Sequence, residues 1–315
     1  MTTARPGAMW GALLAALGIV SLAGSVQAQQ PGAGQPPRNE QPPRAGQPPR
    51  AGQPAVAADP AVVAVLEALE RAGKELQTIY CAVSYLEEDQ LNVSQKIKNG
   101  TIMFKRAEPH PMFLIAFKET LSDGIRLADK EWWLFRDRWL SEAKSKSTLI
   151  IAREYVAPGQ RVDLFDLERS PIPIPFGQTK REVLDSFAVR LLPPRPGDPP
   201  NTDHLYCVPH PGNQLSREYK RLEYYVSRDI RLPVRIVAEE AGGKKISVAT
   251  FMDVPADAGV KPSTDLSARS VNRPIPDEAF RLPPETQGYH VTKEALPPPG
   301  PPASAPRPGQ GIGGR

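Results

Sequence analysis

Gly100-Thr-Ile-Met-Phe104-Lys-Arg106-Ala-Glu-Pro109-His-Pro-Met112-Phe-Leu-Ile-Ala-Phe117-Lys118 is the stretch on which the reading of this chain turns. In an extended backbone Ile102, Phe104 and Arg106 share one face and Met103 and Lys105 the other, the period of two that marks a strand. The two prolines then interrupt the pattern. From Met112 to Phe117 every position is apolar, so both faces of this second strand need cover. Trp132-Trp133-Leu134-Phe135 repeats the demand. An ordinary two-layer core meets it, and so does a sheet with helices on one side and a lipid-sized hollow on the other.

Outward from this stretch the strand signal persists. β-branched and aromatic residues between turn residues predict strands at Ile79 to Glu87, Gln95 to Arg106, Met112 to Lys118, Glu131 to Phe135 and Thr148 to Tyr155, then at Ser186 to Leu192, His204 to Val208, Tyr219 to Ser227, Val234 to Glu239 and Lys245 to Met252. Asn99-Gly100, Asp123-Gly124 and Ala241-Gly242-Gly243 supply turns, so sequential antiparallel pairing in one large curved sheet or barrel is the economical topology. Gly100 reads equally as a bulge inside a longer strand. The fold class expected is mainly β with some helix.

Before the strands, Asp59-Pro60 is a helix start, and Val62, Val65, Leu66, Leu69 and Leu76 recur on one face of a helix ending near Thr78. Gly73 weakens that helix by about 1 kcal/mol against Ala, so it depends on packing against a sheet. Between Val162 and Leu184 the pattern loosens into short helices joined by a proline-rich crossing, which fits a lid over the sheet or a plug at its end.

The ends read differently. Arg5, the apolar run Met9 to Leu22 and the small-residue site Val26-Gln27-Ala28 form a secretory signal over residues 1–28, with cleavage expected after Ala28. That run is short against the roughly 20 apolar residues of a membrane span, and no second candidate follows, so a soluble mature chain in the periplasm or cell envelope is expected. Three Gln-Pro-Pro-Arg units make residues 29–58 a disordered, partly polyproline spacer. The folded domain is expected over 59–292 and a Pro/Gly-rich disordered tail over 293–315.

The chain carries a formal net charge of +4, but the cationic excess lies in Arg5, the spacer and the tail, leaving −1 for residues 59 to 296. The folded part therefore lacks the cationic field on which nucleic-acid binding relies. No phosphate-cradling glycine loop, nucleophile elbow or His-Glu-x-x-His motif occurs, and the adjacent acids Glu87-Glu88-Asp89 and Glu239-Glu240 read as loop charges. Asp203-His204-Leu-Tyr-Cys207-Val-Pro-His210 brings potential metal ligands together, but in a strand His204 and Cys207 fall on opposite faces. The expectation is a non-enzyme without a metal or cofactor. Cys81 and Cys207 allow one disulfide or two buried thiols.

In serial order these features resemble the periplasmic outer-membrane lipoprotein carrier and sorting family, over roughly Asp59 to Val291. An amphipathic helix leads to a long hairpin whose second strand, Gly100 to Pro109, is similar to the family's glycine, aromatic, Lys-Arg-Pro run, here without a proline directly after Arg106. Ser122-Asp123-Gly124 and Trp132 to Phe135 are similar to its turn and aromatic strand. Ile174-Pro175-Phe176 with Leu184 to Leu191 is similar to its lid helices and following strand, Leu205 to Pro209 to its short proline-ended strand, and Asp277 to Pro283 to its closing strand.

The resemblance implies an unclosed antiparallel barrel with short lid helices over its mouth. It also implies capture of lipoprotein acyl chains or another lipid in an apolar cavity, with an arginine at the end of the second strand holding the lid closed. Arg106 occupies that position, and Phe104, Phe113, Ile115, Trp133 and Phe176 are the candidate cavity residues. The alternative is an envelope protein-interaction or sensory module on the same scaffold, with a filled core and an exposed apolar patch.

Overall fold

In the computed structural model, residues 59–160, 178–252 and 271–296 are described. The first element is helix α1, Pro60–Glu75. The Asp59 carboxylate accepts a hydrogen bond from the Ala61 amide at 2.8 Å, and Pro60 at the first helical position forfeits no internal bond. Its buried stripe is Val62, Val65, Leu66 and Leu69. It ends three residues before the expected Thr78, because the backbone is already extended at Leu76 and leads straight into the sheet.

Among the described residues thirteen strands form one sheet: β1 Thr78–Asp89, β2 Ser94–Lys105, β3 Met112–Ser122, β4 Ile125–Leu127, β5 Glu131–Arg136, β6 Trp139–Lys144, β7 Leu149–Glu154, β8 Phe187–Leu192, β9 Thr202–Pro209, β10 Tyr219–Ser227, β11 Pro233–Glu240, β12 Lys245–Met252 and β13 His290–Glu294. The order is β13-β7-β6-β5-β3-β2-β1-β12-β11-β10-β9-β8, with β4 hung on β3. The expected mainly β, unclosed curved sheet is therefore present, with β13 and β8 as its two edges. Two short helices, α2 Lys180–Ser186 and α3 Leu215–Glu218, precede β8 and β10. Among the described residues no helix is long and apolar enough to cross a membrane.

Sequential pairing holds within two meanders, β1 to β7 and β8 to β12, apart from β4, which β5 bypasses to pair with β3, and it fails where they meet. There β1 pairs antiparallel with β12, joining the meanders through their first and last strands. β6 follows a turn with no glycine, at which Asp137 takes φ 60°, so no breaker announced it. Asp123 and Gly124, both at positive φ, form the two-residue turn between β3 and β4. Gly100 is a bulge, not a turn: register slips between Asn99 and Gly100 opposite β3, and a Cβ there would stand 2.0 Å from the Ala116 carbonyl oxygen.

The expected closing strand at Asp277 to Pro283 is absent. Pro276, Pro283 and Pro284 remove ladder donors, and the chain makes two 3-10 turns, Asp277–Ala279 and Pro284–Thr286, before β13 pairs in parallel with β7. β13 runs to Glu294, two residues beyond the expected domain end.

The two faces are filled in different ways. On the inner face lie Ile79, Cys81, Val83 and Tyr85 of β1 with Phe104, Phe113, Phe117, Trp133 and Phe135. Register carries this face across the sheet through the pairs Val83–Phe251, Ala249–Ile236 and Ile236–Tyr224, to the strands on which α1 lays its apolar stripe against Leu205, Leu222 and Val226. On the outer face Met112 and Leu114 pack under Phe280, and Ala116 and Trp132 under Leu282 and Tyr289. The doubly apolar strands are thus covered behind by the C-terminal arm, held by Lys105 Nζ to the Ile275 carbonyl at 2.8 Å and Arg136 to the Phe280 carbonyl at 3.1 Å.

Candidate functional site

Four of the six residues singled out from sequence meet on the inner face. Phe104 stands opposite Phe113 in the β2–β3 ladder, and Ile115 opposite Trp133 in the β3–β5 ladder. All four are buried in the same apolar cluster, which also includes Ile79, Ile102 and Phe135. Phe176 lies outside the described residues.

Arg106 follows the last residue of β2, and its amide donates to the Gln77 carbonyl at 2.7 Å. Its guanidinium turns to the end of α1, where Nη2 donates to the Gly73 carbonyl at 2.9 Å and Nε to the Leu76 carbonyl at 3.0 Å. The Gly73 carbonyl also accepts a long bond from the Leu76 amide at 3.4 Å, and this end of α1 carries the negative end of the helix dipole, so a cation is well placed there. The contact ties the rim of the apolar cluster to the helix lying over the neighbouring strands.

At the other end of the inner face the lining becomes polar. Lys98, 1% exposed, reaches across β3 to the Glu131 carboxylate at 2.9 Å. Its ammonium also lies 5.8 Å from the Phe117 ring centroid. Burial pulls the Lys98 pKa down, partly opposed by Glu131. Burial likewise raises the Glu87 carboxyl pKa, against the attraction of Lys98 and Lys96. Tyr85, directly across from Lys98, completes the group, its hydroxyl pKa driven up chiefly by burial. Sequence reading took Glu87 for a loop charge, whereas it lies within β1, and passed over Lys98 and Glu131. The signal was there: Lys98 shares the alternation of Gly100, Ile102 and Phe104, and Glu131 that of Trp133 and Phe135, so each places a charge on an apolar face.

The suspected ligand cluster divides as alternation required. Cys207 joins the apolar packing beneath α1, its thiol pKa pushed up to about 12 by burial. His204 faces the other way, stacked on Tyr225 with ring centroids 4.2 Å apart and bonded through Nε2 to Glu223 at 2.9 Å. Cys81 and Cys207 are both buried and not joined by a disulfide. A cleft of about 670 Å³ beside α1, lined by residues including Ala64, Ala68, Arg71, Leu191, Asp203 and Arg231, contains none of the six candidates.

No protein-family model matches the sequence, and no curated protein matches it. Solved structures similar to it include an uncharacterised conserved protein from Thermus thermophilus, with 9% identity over 74% of this chain and 99% of that one and a TM-score of 0.39. A LolA superfamily protein from Nitrosomonas europaea shares 13% identity over 70% of this chain and 96% of that one, with a TM-score of 0.32. LprF from Mycobacterium bovis shares 10% over 65% and 97%, with a TM-score of 0.35.

Proposed function

We propose that the protein is a non-catalytic carrier that holds a lipoprotein acyl chain or another lipid against the inner face of its sheet, after export to the periplasm or cell envelope. The observation that carries this reading is the continuous apolar cluster from Ile79 to Trp133 on the inner face of an unclosed sheet. Arg106 fastens its rim to the end of α1 by two hydrogen bonds. Releasing those bonds frees the end of α1, where Ala72 and Leu76 pack at the rim of the cluster, without breaking a strand ladder. Each methylene then buried contributes about 0.8 kcal/mol, enough over an acyl chain to offset ordering costs.

The test is native mass spectrometry of the protein purified from its own envelope, followed by extraction and lipid analysis, with Arg106→Leu alongside. Co-purifying acyl lipid whose occupancy changes in the variant supports the carrier. An empty protein that also refuses added lipid removes it.

A second reading, an envelope protein-interaction module, is favoured by one observation. Leu91 and Val93 on the β1–β2 turn are exposed, as are Ile125 and Leu127 of β4. The two turns are locked together by hydrogen bonds between Gln95 and Asp123. Val93, 91% exposed, is held at φ 50°, an uncommon conformation for a β-branched residue. In this reading the inner face stays closed and these tips meet a protein, so lipid is absent and replacing Leu91 and Val93 by serine abolishes cross-linking in the envelope.

A further inference from the structure

Among the described residues β13 ends the sheet, pairing with β7 alone. All of its residues, His290 to Glu294, are exposed, Val291 by 49%. The His290 amide donates to the Thr148 carbonyl at 2.9 Å. In this parallel ladder the backbone groups of His290, Thr292 and Glu294 therefore turn to β7, and those of Val291 and Lys293 turn outward. An edge of this kind invites another strand unless proline, a bulge or a charge blocks it. No proline or register slip interrupts 290–294, and the one lysine is drawn aside, its ammonium 5.7 Å from the ring centroid of Trp139 in the same chain.

The sequence of this edge is its own antiparallel complement. About a two-fold axis through Thr292, Val291 meets Lys293 of a second copy and His290 meets Glu294 of that copy, and each pairing occurs twice. Backbone parity agrees. Val291 and Lys293 both face outward, so they form the hydrogen-bonded pairs and close four bridging bonds, while His290 and Glu294 fall in the closer-set pairs without backbone bonds. There a histidine stands opposite a carboxylate, which it meets as a cation or as an N–H donor. Arg153 holds the Glu294 carboxylate at 2.9 Å and so keeps it beside the edge. Register through Trp133–Glu142, Glu142–Ile151 and Ile151–Thr292 sets His290, Thr292 and Glu294 on the inner face. An axis normal to the sheet leaves that face on the same side in both copies.

We infer that the protein self-associates through β13, two copies pairing antiparallel about Thr292 into one sheet whose inner faces run together. Two strands this short bury less than the roughly 1,200 Å² of a stable specific interface, so the dimer is weak and forms at high protein concentration. The inference goes beyond the carrier reading and does not depend on it.

Sedimentation equilibrium of the purified protein, from dilute solution up to the millimolar range, tests it together with two cysteine variants. The wild type is expected to show a reversible monomer–dimer equilibrium. His290→Glu, which sets carboxylates against each other in both pairs, weakens it about tenfold, and the thermal midpoint of the dilute protein stays level because position 290 is exposed. The two Thr292 Cα atoms stand about 4.5 Å apart across the axis, within the span of a disulfide. Thr292→Cys therefore cross-links under mild oxidation, in which the buried Cys81 and Cys207 take no part. His290→Cys does not, since its two copies lie about 14 Å apart along the paired strands. A protein monomeric throughout the range overturns the inference. A dimer that Thr292→Cys fails to trap, or that both cysteines trap equally, has its contact elsewhere and overturns it too. Lipid content of the monomer judges the carrier reading separately.

Discussion

Arg106 Nη2 donates to the Gly73 carbonyl at 2.9 Å, joining the end of the second strand to the last turn of the helix packed over the sheet. The bond spans 33 residues of sequence, and a second, to Leu76, fixes the plane of the guanidinium. Arg106→Leu removes two hydrogen bonds at a helix terminus and should cost about 2 kcal/mol. Arg106→Lys should cost less, since an ammonium retains one donor direction but not the fork. Urea unfolding measures both, and equal losses would show that the fork geometry, not the charge, holds the helix end.

The Lys98–Glu131 pair makes an asymmetric prediction. Lys98→Met leaves the Glu131 carboxylate buried without its cation, for a loss of about 3–5 kcal/mol. Adding Glu131→Leu should restore most of it, because the double variant puts apolar groups of similar size in an apolar place. Chemical denaturation of the two single variants and the double variant gives the coupling directly. A double variant as weak as Lys98→Met would locate the loss in packing instead.

Glu87 gives a pH signature. Burial raises its folded-state carboxyl pKa above the unfolded value, so the folded chain binds more protons between those two values. Stability from this group is therefore greatest in acid and falls as pH rises through the folded pKa. Glu87→Gln should match the wild type near pH 4 and exceed it at pH 7. Plotting the difference in unfolding free energy between the two proteins against pH cancels the contributions of all other groups, and a flat difference would refute the assignment.

Gly100→Ala drives a Cβ to 2.0 Å from the Ala116 carbonyl oxygen, an atom of backbone that cannot swing aside. The bulge must then reopen, at about 3 kcal/mol. A fall in thermal midpoint larger than that of Gly243→Ala, where an added Cβ meets only the Glu239 carboxylate at an ordinary 3.9 Å and the positive φ is the strain, separates steric from conformational cost.

Local pattern carried a good part of this fold. Alternation located Phe104, Phe113, Ile115 and Trp133, and the two-sided apolarity of Met112 to Phe117 demanded cover on both faces. Which segment supplies the outer cover was not legible, because Phe280 and Leu282 sit among prolines in a stretch without period, and their partners lie well over a hundred residues away. The β1–β12 pairing was hidden for the same reason: nothing local in either strand names the other. Arg106 could be placed at a strand end by counting, but its acceptors are backbone carbonyls, which leave no mark in a sequence.

The C-terminal arm has a consequence for how the chain comes into being. Asn272 accepts from the Gln77 amide at 2.7 Å, and the arm then crosses behind β3 and β5 before β13 docks on β7. Until residues near 290 have left the ribosome, Met112, Leu114 and Trp132 have no cover on that side. A nascent chain cannot finish folding as it emerges, and it must remain unaggregated while more than half its length waits for its last segment. Such delay suits a polypeptide that has to stay unfolded for passage through a narrow channel.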